Sequence, residues 1–300
     1  MKALCIGHAA YDITLPIESY PKENQKMRVG PTIECGGGSA ANCASLLSRW
    51  GLDTYFLGTI GKDYYGDKIY DEFVNDGVNT SLLRRTDKFN TTSSYIMANT
   101  TNGSRTIIIS RTKKVESDDI HIPSYFDLII CDGEEPTLSI KAIKENPNAI
   151  SVIDAGNLKD SIVKICPYVT YIVCSRDFAN EYTGIKTDLD NIESLKEAYE
   201  KIREDFNTNV VITLGSFGSF AKVDDKYVLV PSIKVDPVDT TAAGDIYHGA
   251  FGYFISNGYS LKDTMKLANI TGAISTLSIG GRNSIPELKS VYERVYDENK

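Results

Sequence analysis

The segment at residues 239–245 has the residue types that a phosphate-binding site needs. It reads Asp-Thr-Thr-Ala-Ala-Gly-Asp and leads directly into an apolar stretch with helical spacing. The first N–H groups of a helix have no partner within the helix and lie at the positive end of its dipole. Because Ala242, Ala243 and Gly244 carry little or no side chain, an anion can approach these N–H groups closely. The segment is therefore predicted to form an anion hole.

Asp245 ends this segment and is the candidate general base. A carboxylate beside an anion hole can accept the proton of a hydroxyl that attacks the bound phosphate. An isolated Gly-Asp pair is more often an ordinary acid in the first turn of a helix. The run of small residues and the second acid at Asp239 favour the functional interpretation. His248 follows by one helical turn, and we expect it to be a core or surface histidine rather than a relay partner.

Other routes to nucleotide binding are disfavoured. The sequence has no GxxxxGK[ST] phosphate loop and no HRD or DFG motif of protein kinases. Residues 36–41 fit the dinucleotide fingerprint GxGxxA, with Asp53 as the acid that follows it. That fingerprint directly follows the first strand of its fold, however, and the predicted strand at 3–9 is too distant. A nicotinamide-dependent oxidoreductase is therefore disfavoured, and if ATP binds, it is expected to bind through the helix N-terminus.

The elements around these motifs alternate between apolar strands and amphipathic helices. Strands are predicted at 3–9, 54–59, 128–131, 150–154, 168–174 and 210–214. Helices are predicted at 39–50, 65–76, 137–145, 192–206, 244–256, 261–278 and 286–296. Such alternation indicates an α/β fold with a mainly parallel sheet covered by helices on both faces.

Two segments, at 12–34 and 93–111, have β character without intervening helices. In the second, Asn102-Gly103 separates two apolar runs, which is a strong hairpin signal. We predict a small β-sheet lid, inserted in a single domain at 1–300. Its free edge could pair with a second copy of the chain. Basic residues on and after the hairpin are expected to protect this edge; they are Arg105, Arg111, Lys113 and Lys114. The alternative is that Arg105 or Arg111 contacts an anionic group of a bound ligand.

Composition narrows the partners and the compartment. The chain carries 32 basic and 40 acidic residues, a net charge of −8, which disfavours nucleic acid and anionic membrane surfaces. No apolar run approaches the roughly 18 residues of a membrane span, and the N-terminus has the pattern of a strand rather than a signal peptide. The six cysteines form no CxxC pair and no cluster with the three histidines. A cytoplasmic, reduced protein is expected.

Two stretches carry a family resemblance. Residues 239–245 resemble the C-terminal signature of the ribokinase-like (PfkB) family of sugar and nucleoside kinases, and Gly-Gly-Ser-Ala-Ala-Asn at 37–42 resembles its N-terminal signature. Further matches at 58–66, 76–78, 213–218 and 268–286 follow in the family's order. The resemblance implies a ribokinase-like three-layer α/β/α sandwich with a small β-sheet lid.

The resemblance also implies roles for individual residues. Asp245 would be the general base, and the N–H groups of Ala243, Gly244 and Asp245 would stabilise the transferred phosphoryl group. Ala242 replaces the commoner glycine of the signature. The acceptor sugar would lie against Asp12, Gly37, Gly38 and Asn42. The nucleotide would lie near Thr213, Gly215, Gly218 and Asn269. Asp239 matches a carboxylate that, in many members, helps to bind a monovalent cation such as K⁺.

One departure concerns magnesium. Family members usually have Asn-x-x-Glu after the strand predicted at 168–174, and this pair organises Mg²⁺ and phosphate through water. Here the run is Ser175-Arg-Asp-Phe178, and neither role is assigned to Ser175 or Phe178. Family branches that phosphorylate ketoses have a comparable serine-containing replacement.

The function implied is ATP- and Mg²⁺-dependent phosphorylation of a hydroxyl of a small carbohydrate. Two alternatives stay open at this point. One is a nucleoside kinase of the same family, and the other is a non-catalytic sensor that binds a sugar or nucleotide on this scaffold. The sensor is favoured by the missing Asn-x-x-Glu. Turnover, rather than binding alone, separates an enzyme from a sensor.

Overall fold

The strands that form the core of the protein are apolar on both faces, as expected for a covered parallel sheet. The computed structural model describes residues 1–112 and 120–298; Lys113 and Lys114 lie outside them. Its strands are β1 (Lys2–Ile6), β2 (Ala10–Ile17), β3 (Ile33–Gly37), β4 (Asp53–Gly61), β5 (Leu83–Thr86), β6 (Thr92–Asn99), β7 (Arg105–Ser110), β8 (Leu128–Cys131), β9 (Ile150–Ala155), β10 (Tyr171–Ser175), β11 (Asn209–Thr213), β12 (Ser219–Val223) and β13 (Lys226–Val230).

Seven of the described helices match predicted ones to within three residues at each end, whereas two short helices, at 160–165 and 176–183, were not predicted. The described helices are α1 (Ser39–Arg49), α2 (Tyr64–Asn75), α3 (Pro136–Glu145), α4 (Asp160–Ile165), α5 (Arg176–Thr183), α6 (Ile192–Phe206), α7 (Ala243–Ser256), α8 (Leu261–Ser275) and α9 (Leu288–Glu298). The predicted 244–256 helix begins one residue earlier. The predicted 261–278 helix ends at Ser275. Gly38 occupies the N-cap position of α1, and no side chain caps that helix.

The large sheet contains nine of the described strands in the order β13-β12-β11-β10-β9-β8-β1-β4-β5. Strands β11 to β5 in this order pair in parallel, whereas β12 and β13 add an antiparallel hairpin at one edge. This hairpin and β5 were not predicted from the sequence. The carboxyl ends of the parallel strands meet at one edge of the sheet, where an open α/β fold builds its binding sites.

Helices cover both faces of this sheet. The helix α7 packs on α1 and α8 and contacts β8 and β9. The same two strands are also contacted by α3 and α4, so these helices lie across the sheet from α7. The predicted mainly parallel sheet with helices on both faces is therefore confirmed. The burial of apolar side chains on both faces of the central strands, at about 25 cal/mol per Å², is the main stabilising contribution.

The lid is a separate sheet of four described strands in the order β3-β2-β6-β7. Strands β6 and β7 pair antiparallel around Asn102-Gly103, and Gly103 has φ +69°, which confirms the predicted hairpin. The predicted first strand at 3–9 ends at Ile6, because Gly7 turns the chain and a new strand begins at Ala10. Asp12 therefore lies within the lid sheet, opposite Cys35 and Ser94, and not beyond the end of a core strand.

The six cysteines are all buried and form no disulfide bond. In each of the thiols at Cys5, Cys43, Cys131 and Cys174, burial raises the pKa well above its ordinary value. They are therefore protonated packing groups rather than nucleophiles. Across residues 1–112 and 120–298, no helix combines the length and apolar character that crossing a bilayer requires.

Candidate active site

The N-terminus of α7 forms the centre of the site. Ala242 is its N-cap residue and adopts a left-handed conformation with φ +60°, which its single methyl group tolerates better than a larger side chain would. Gly244 is exposed, and a Cβ atom built on it would meet no other atom within 4 Å. The space in front of the first turn is therefore open. This geometry fits the predicted anion hole at residues 242–245.

Asp245 lies in that first turn and is held by the first turn of α1. The Asn42 Nδ2 group donates a hydrogen bond to Asp245 Oδ2 at 2.8 Å, and Cys43 Sγ donates to the Asp245 carbonyl at 3.3 Å. Burial raises the pKa of Asp245 to about 6, and the nearby Asp154 carboxylate contributes to this rise. Hydrogen bonds from Asn42 and Ser39 partly offset the shift. A carboxylate with this pKa can accept a proton near neutral pH.

His248 connects the same turn of α7 to the central sheet. Its Nδ1 atom lies 2.6 Å from the Gly244 carbonyl, and its Nε2 atom lies 3.0 Å from the Val173 carbonyl in the middle of β10. The ring is 4% exposed and lies 3.5 Å from Asp154 Oδ1. The expectation of a core histidine is therefore confirmed.

The predicted sugar-binding residues converge between the lid and α1. Asp12 is buried, and its carboxylate occupies the space that a Cβ atom on Gly37 would fill. Gly38 has φ +96°, and a Cβ atom there would strike the His8 carbonyl. Burial raises the pKa of Asp12 to about 6, although the Ser94 hydroxyl and the Arg282 charge lower it. Gly37 is thus required by close packing against the Asp12 carboxylate, and Gly38 by its positive φ and the approach of the His8 carbonyl.

The predicted nucleotide-binding residues line one cavity of about 630 Å³ beside the N-terminus of α7. Thr213, Gly215, Gly218 and Asn269 all contribute to its wall. Apolar and aromatic side chains supply another part of the lining; they are Phe217, Ile233, Val235, Pro237, Tyr247 and Ala273. Ala243 and Gly244 lie at this wall too, so the cavity opens onto the anion hole. The volume is in the range that small-molecule sites occupy.

Two of these wall residues, Asn269 and Gly218, also make contacts that hold the cavity wall together and that the sequence did not reveal. Asn269 Nδ2 donates to the Val230 carbonyl at 2.9 Å, which attaches α8 to the end of β13. Gly218 has φ +104°, and a Cβ atom there would collide with the same carbonyl. These contacts fix the wall of the cavity. Direct contacts of these residues with a nucleotide stay a prediction.

Asp239 is almost fully buried and braces the loop before α7. Its Oδ1 atom accepts hydrogen bonds from the Thr241 N–H at 2.8 Å and hydroxyl at 2.6 Å. Its Oδ2 atom accepts the Gly280 N–H at 2.9 Å. The predicted contact with a monovalent cation stays a prediction.

The Ser175–Phe178 replacement has become part of the scaffold. The Ser175 hydroxyl caps α5 by accepting the Phe178 N–H at 2.9 Å and donates to the Gly156 carbonyl at 2.6 Å. Phe178 is fully buried and stacks on Tyr182, with ring centres 5.8 Å apart. Neither side chain is free to organise a metal ion. The described residues contain no cluster of three or more His, Cys, Asp or Glu side chains that could hold one.

The two lid arginines have different surroundings. Arg105 Nη1 donates to Thr240 Oγ1 at 2.7 Å, and its side chain lines the cavity together with Gly244. Arg111 pairs with Glu134 at 2.5 Å, and Lys159 pairs with the same carboxylate at 3.0 Å. These two cations hold the pKa of Glu134 at about 2 despite its burial. Arg105 thus faces the anion hole, whereas the charge of Arg111 is already balanced.

Carboxylates at the ends of two core strands were not predicted from the sequence. Asp132 follows β8 and accepts hydrogen bonds from the N–H groups of His8 at 2.7 Å and Ala40 at 3.1 Å. It therefore fixes both the turn before the lid and the start of α1. Asp154 lies in β9 and faces His248. An acid that directly follows or ends an apolar strand is the signal that could have identified both. Arg282 was also not predicted from the sequence as a residue of the site.

Comparisons with known proteins agree with the sequence signatures. The family model described as pfkB family carbohydrate kinase matches residues 1–288. The chain is 24% identical to the ribokinase of Bacillus subtilis, over 98% of this chain and 99% of that one. It is 22% identical to the nucleoside kinase of Methanocaldococcus jannaschii, over 98% and 96%. A structure of Arabidopsis thaliana ribokinase complexed with ribose and ATP superposes with a TM-score of 0.80, at 22% identity and 97% coverage of both chains.

Proposed function

The chain belongs to the pfkB family of carbohydrate kinases and has the ribokinase fold, and from this premise we propose how it transfers phosphate. Its activity is that of the family, ATP-dependent phosphorylation of a carbohydrate. We propose that transfer occurs at the N-terminus of α7, with Asp245 as the general base. The observation that carries this proposal is the open first turn of α7, in which Asp245 is held by Asn42 beside an unobstructed Gly244.

The proposed reaction is a direct displacement at the γ-phosphorus of ATP. A sugar hydroxyl held near Asp12 gives its proton to Asp245 as its oxygen attacks, and ADP leaves toward the cavity. The N–H groups of Ala243, Gly244 and Asp245 stabilise the negative charge on the transferred phosphoryl group. The lid sheet excludes water, so that the sugar hydroxyl rather than solvent is the acceptor.

ATP is assigned to the 630 Å³ cavity beside α7. The Arabidopsis relative of the same fold was solved with ribose and ATP, which supports both ligands for this chain. The apolar wall suits a base, and the end at Gly244 suits the phosphates. Arg105 reaches this end from the lid, so we assign its charge to the phosphates rather than to an anionic sugar.

Mg²⁺ would balance the phosphate charge during transfer. Such an ion is usually held by one or two carboxylates together with substrate phosphates, and it keeps several waters. The described residues that line the 630 Å³ cavity include no carboxylate, so the phosphates and waters would supply most of the ligands of Mg²⁺. K⁺ would lie near the loop that Asp239 braces, where Asp239 Oδ2 accepts the Gly280 N–H and retains a lone pair.

The deciding experiment is an ADP-release assay with MgATP and a panel of pentoses, hexoses, ketoses, phosphosugars and nucleosides. It is run in K⁺ and in tetramethylammonium buffers. Turnover of one carbohydrate confirms the proposed centre as a working kinase and identifies the acceptor. Preference for a nucleoside supports the second candidate, which the Methanocaldococcus relative favours. ATP binding without turnover of any acceptor contradicts the proposal and supports a sensor.

Phosphorylation of the sugar is expected to slow as the pH falls through about 6. The pKa of Asp245 is raised to about 6, so the base is ionised above this pH and protonated below it. Asp12, with a similar pKa, would weaken as a hydrogen-bond acceptor over the same range. The measurement is kcat/KM for the sugar against pH at saturating MgATP. In Asp12→Asn, kcat/KM should still fall at low pH, with the slope expected for protonation of one group, Asp245. A value of kcat/KM that stays constant below pH 6 would contradict the assignment of Asp245 as the base.

We propose that the lid also mediates dimerisation. The strand β7 is an edge of the lid sheet, and its consecutive isoleucines at 107, 108 and 109 are 42%, 57% and 59% exposed. Tyr95 on the neighbouring strand is exposed as well. An exposed apolar edge of this kind pairs readily with another strand, and a second copy of the chain supplies one.

Ile108→Lys is expected to convert a dimer into a monomer in sedimentation equilibrium. The lysine places a charge in the proposed interface, and the folded monomer is little affected because the side chain is exposed. Lys68→Ala, a substitution of an exposed residue on α2, is the control and should leave the mass unchanged. A wild-type protein that sediments as a monomer at all concentrations would refute the dimer.

A further inference from the structure

Arg282 is a buried cation beneath the candidate active site. It follows Gly280-Gly281 and is 0% exposed. Its Nη1 atom lies 3.1 Å from Glu72 Oε2, and its Nη2 atom donates to the Gly37 carbonyl at 3.3 Å. The guanidinium also lies over the Phe73 ring, 5.0 Å from its centre. A buried guanidinium stays charged, so it is tolerated only where its donors are satisfied.

The Nε–H donor of Arg282 points to Asn42. Its Nε–H donates to Asn42 Oδ1 at 3.4 Å. A guanidinium has donors only, so the group that faces it must be the amide oxygen and cannot be the NH₂ group. The NH₂ group of Asn42 is then directed to Asp245 Oδ2, at 2.8 Å. Arg282 thus favours the same orientation of the amide that an ionised Asp245 requires.

The opposite orientation of Asn42 would impair the base. Its amide oxygen would then face the Asp245 carboxylate, and two acceptors would be in contact without a proton between them. An ionised Asp245 selects the NH₂ end of the amide by itself, because a carboxylate only accepts hydrogen bonds. A protonated Asp245 has an O–H group and could instead donate to the oxygen of a reversed amide. Arg282 disfavours that reversal from the far side, because its N–H requires the amide oxygen, and it therefore favours the ionised carboxylate.

We propose that Arg282 is a positioning residue for proton transfer, which holds the Asn42 amide so that its NH₂ group faces Asp245 and keeps that carboxylate ionised. The inference rests on the proposed role of Asp245 as the base. Arg282 does not touch the reacting atoms. It acts through Asn42. Its positive charge also lowers the pKa of Asp12 on the lid.

A purely structural role is the alternative explanation. Glu72 accepts the Gly36 N–H at 2.8 Å, so the Arg282–Glu72 pair also attaches the lid strand β3 to α2. If this attachment were the whole role, loss of Arg282 would lower stability and leave the pH dependence of turnover unchanged. The other titratable groups near Asp245 are Asp154 on β9, His248 on α7 and Cys43 on α1. None of them contacts Arg282 in the described structure. Their effect on the pKa of Asp245 should therefore be the same in every variant that is compared.

The experiment compares Arg282→Gln with Arg282→Met, both in a Glu72→Gln background. The background removes the partner charge, so that neither variant leaves a carboxylate unpaired. Glutamine can still donate to Asn42 Oδ1, whereas methionine cannot. We expect the acid limb of kcat/KM to move to higher pH in the methionine variant, with a fall in kcat of about tenfold near pH 7. The glutamine variant and Glu72→Gln alone should retain the wild-type limb.

Coupling to Asn42 provides a second test. Asn42→Ala alone should shift the acid limb of kcat/KM to higher pH. Adding Arg282→Met to Asn42→Ala should cause no further shift, because Arg282 acts on Asp245 only through Asn42. If the methionine variant does not fold, Arg282→Leu in the Glu72→Gln background replaces it, since leucine also has no donor for Asn42 Oδ1. A folded variant with the wild-type limb and kcat would overturn the inference, as would equal shifts in the glutamine and methionine variants. Asp245→Asn is measured in the same series; if it retains turnover, the proposed base itself is wrong.

Discussion

Asp245→Asn is expected to abolish sugar-dependent turnover and to leave ATP binding intact. The substitution keeps the size of the side chain but removes its ability to accept a proton from the attacking hydroxyl. Loss of a general base costs about 10² to 10⁴ in rate. The ATP cavity is lined by other residues, so the dissociation constant for ATP should change little. Single-turnover assays and calorimetric ATP titration measure the two quantities separately.

The same substitution should stabilise the fold at neutral pH. The pKa of Asp245 is about 6 in the folded protein against 3.8 for a free side chain, so the ionised form is disfavoured by folding. At about 1.4 kcal/mol per pKa unit, the native state loses on the order of 3 kcal/mol as the pH rises through this range. The neutral amide of the asparagine variant would carry no such cost. The variant should therefore melt at a higher temperature than wild type at pH 7, and the difference should vanish below about pH 4.

Asp263→Asn is the matched control for both effects. Asp263 is also an acid in the first turn of a helix, α8, where it accepts the Ser260 hydroxyl at 2.6 Å. It does not line the cavity, so its substitution should leave turnover unchanged. Wild-type turnover in Asp245→Asn would exclude this residue as the base. An unchanged melting temperature would show that burial does not disfavour its charge.

Gly244→Leu is expected to block phosphoryl transfer without unfolding the protein. A Cβ atom at Gly244 would meet no other atom within 4 Å, and its backbone is helical, so a side chain can be added without strain. That side chain would enter the space in front of the α7 N-terminus, where the phosphoryl group is proposed to bind. The loss of one such N–H donor costs about 10² to 10³ in kcat. Gly244→Ala should give a smaller loss of the same kind.

The matched control for this series is Gly30→Leu. Gly30 also has open space around an added Cβ atom, but it lies in the exposed segment between β2 and β3. Thermal melting should show similar stability for Gly244→Leu and Gly30→Leu, and only the first should lose turnover. If Gly244→Leu retains its kcat, the anion hole lies elsewhere. If its melting temperature falls steeply, the apparent space in front of the turn is not available to a side chain.

The sequence was sufficient to predict the alternation of strands and helices. Buried parallel strands are continuous apolar runs, and the helix Ile192–Phe206 and the strand Leu128–Cys131 have the bounds that were predicted. The motif at 239–245 was recognisable because a helix start with small residues can be read locally. The four predicted nucleotide-binding residues share one cavity with this motif, as the family resemblance implied.

Other features depended on contacts between distant parts of the chain. Asp12 lies within the lid sheet because Gly7 turns the chain early, and that turn is fixed by Asp132, more than a hundred residues later. Ser175 and Phe178 proved to be a helix cap and a core residue, which no local pattern distinguishes from site residues.

The residue types and the local helix start were thus determined by the sequence itself. Nothing near Arg282 in the sequence indicates that it is buried, because its partners Asn42 and Glu72 lie more than two hundred residues earlier. Local propensity depends on neighbours along the chain, whereas burial, hydrogen-bond partners and pKa depend on neighbours in space. The tertiary structure alone decided how the base is held, because it brings α1, α2, the lid and the segment before α9 to the same point.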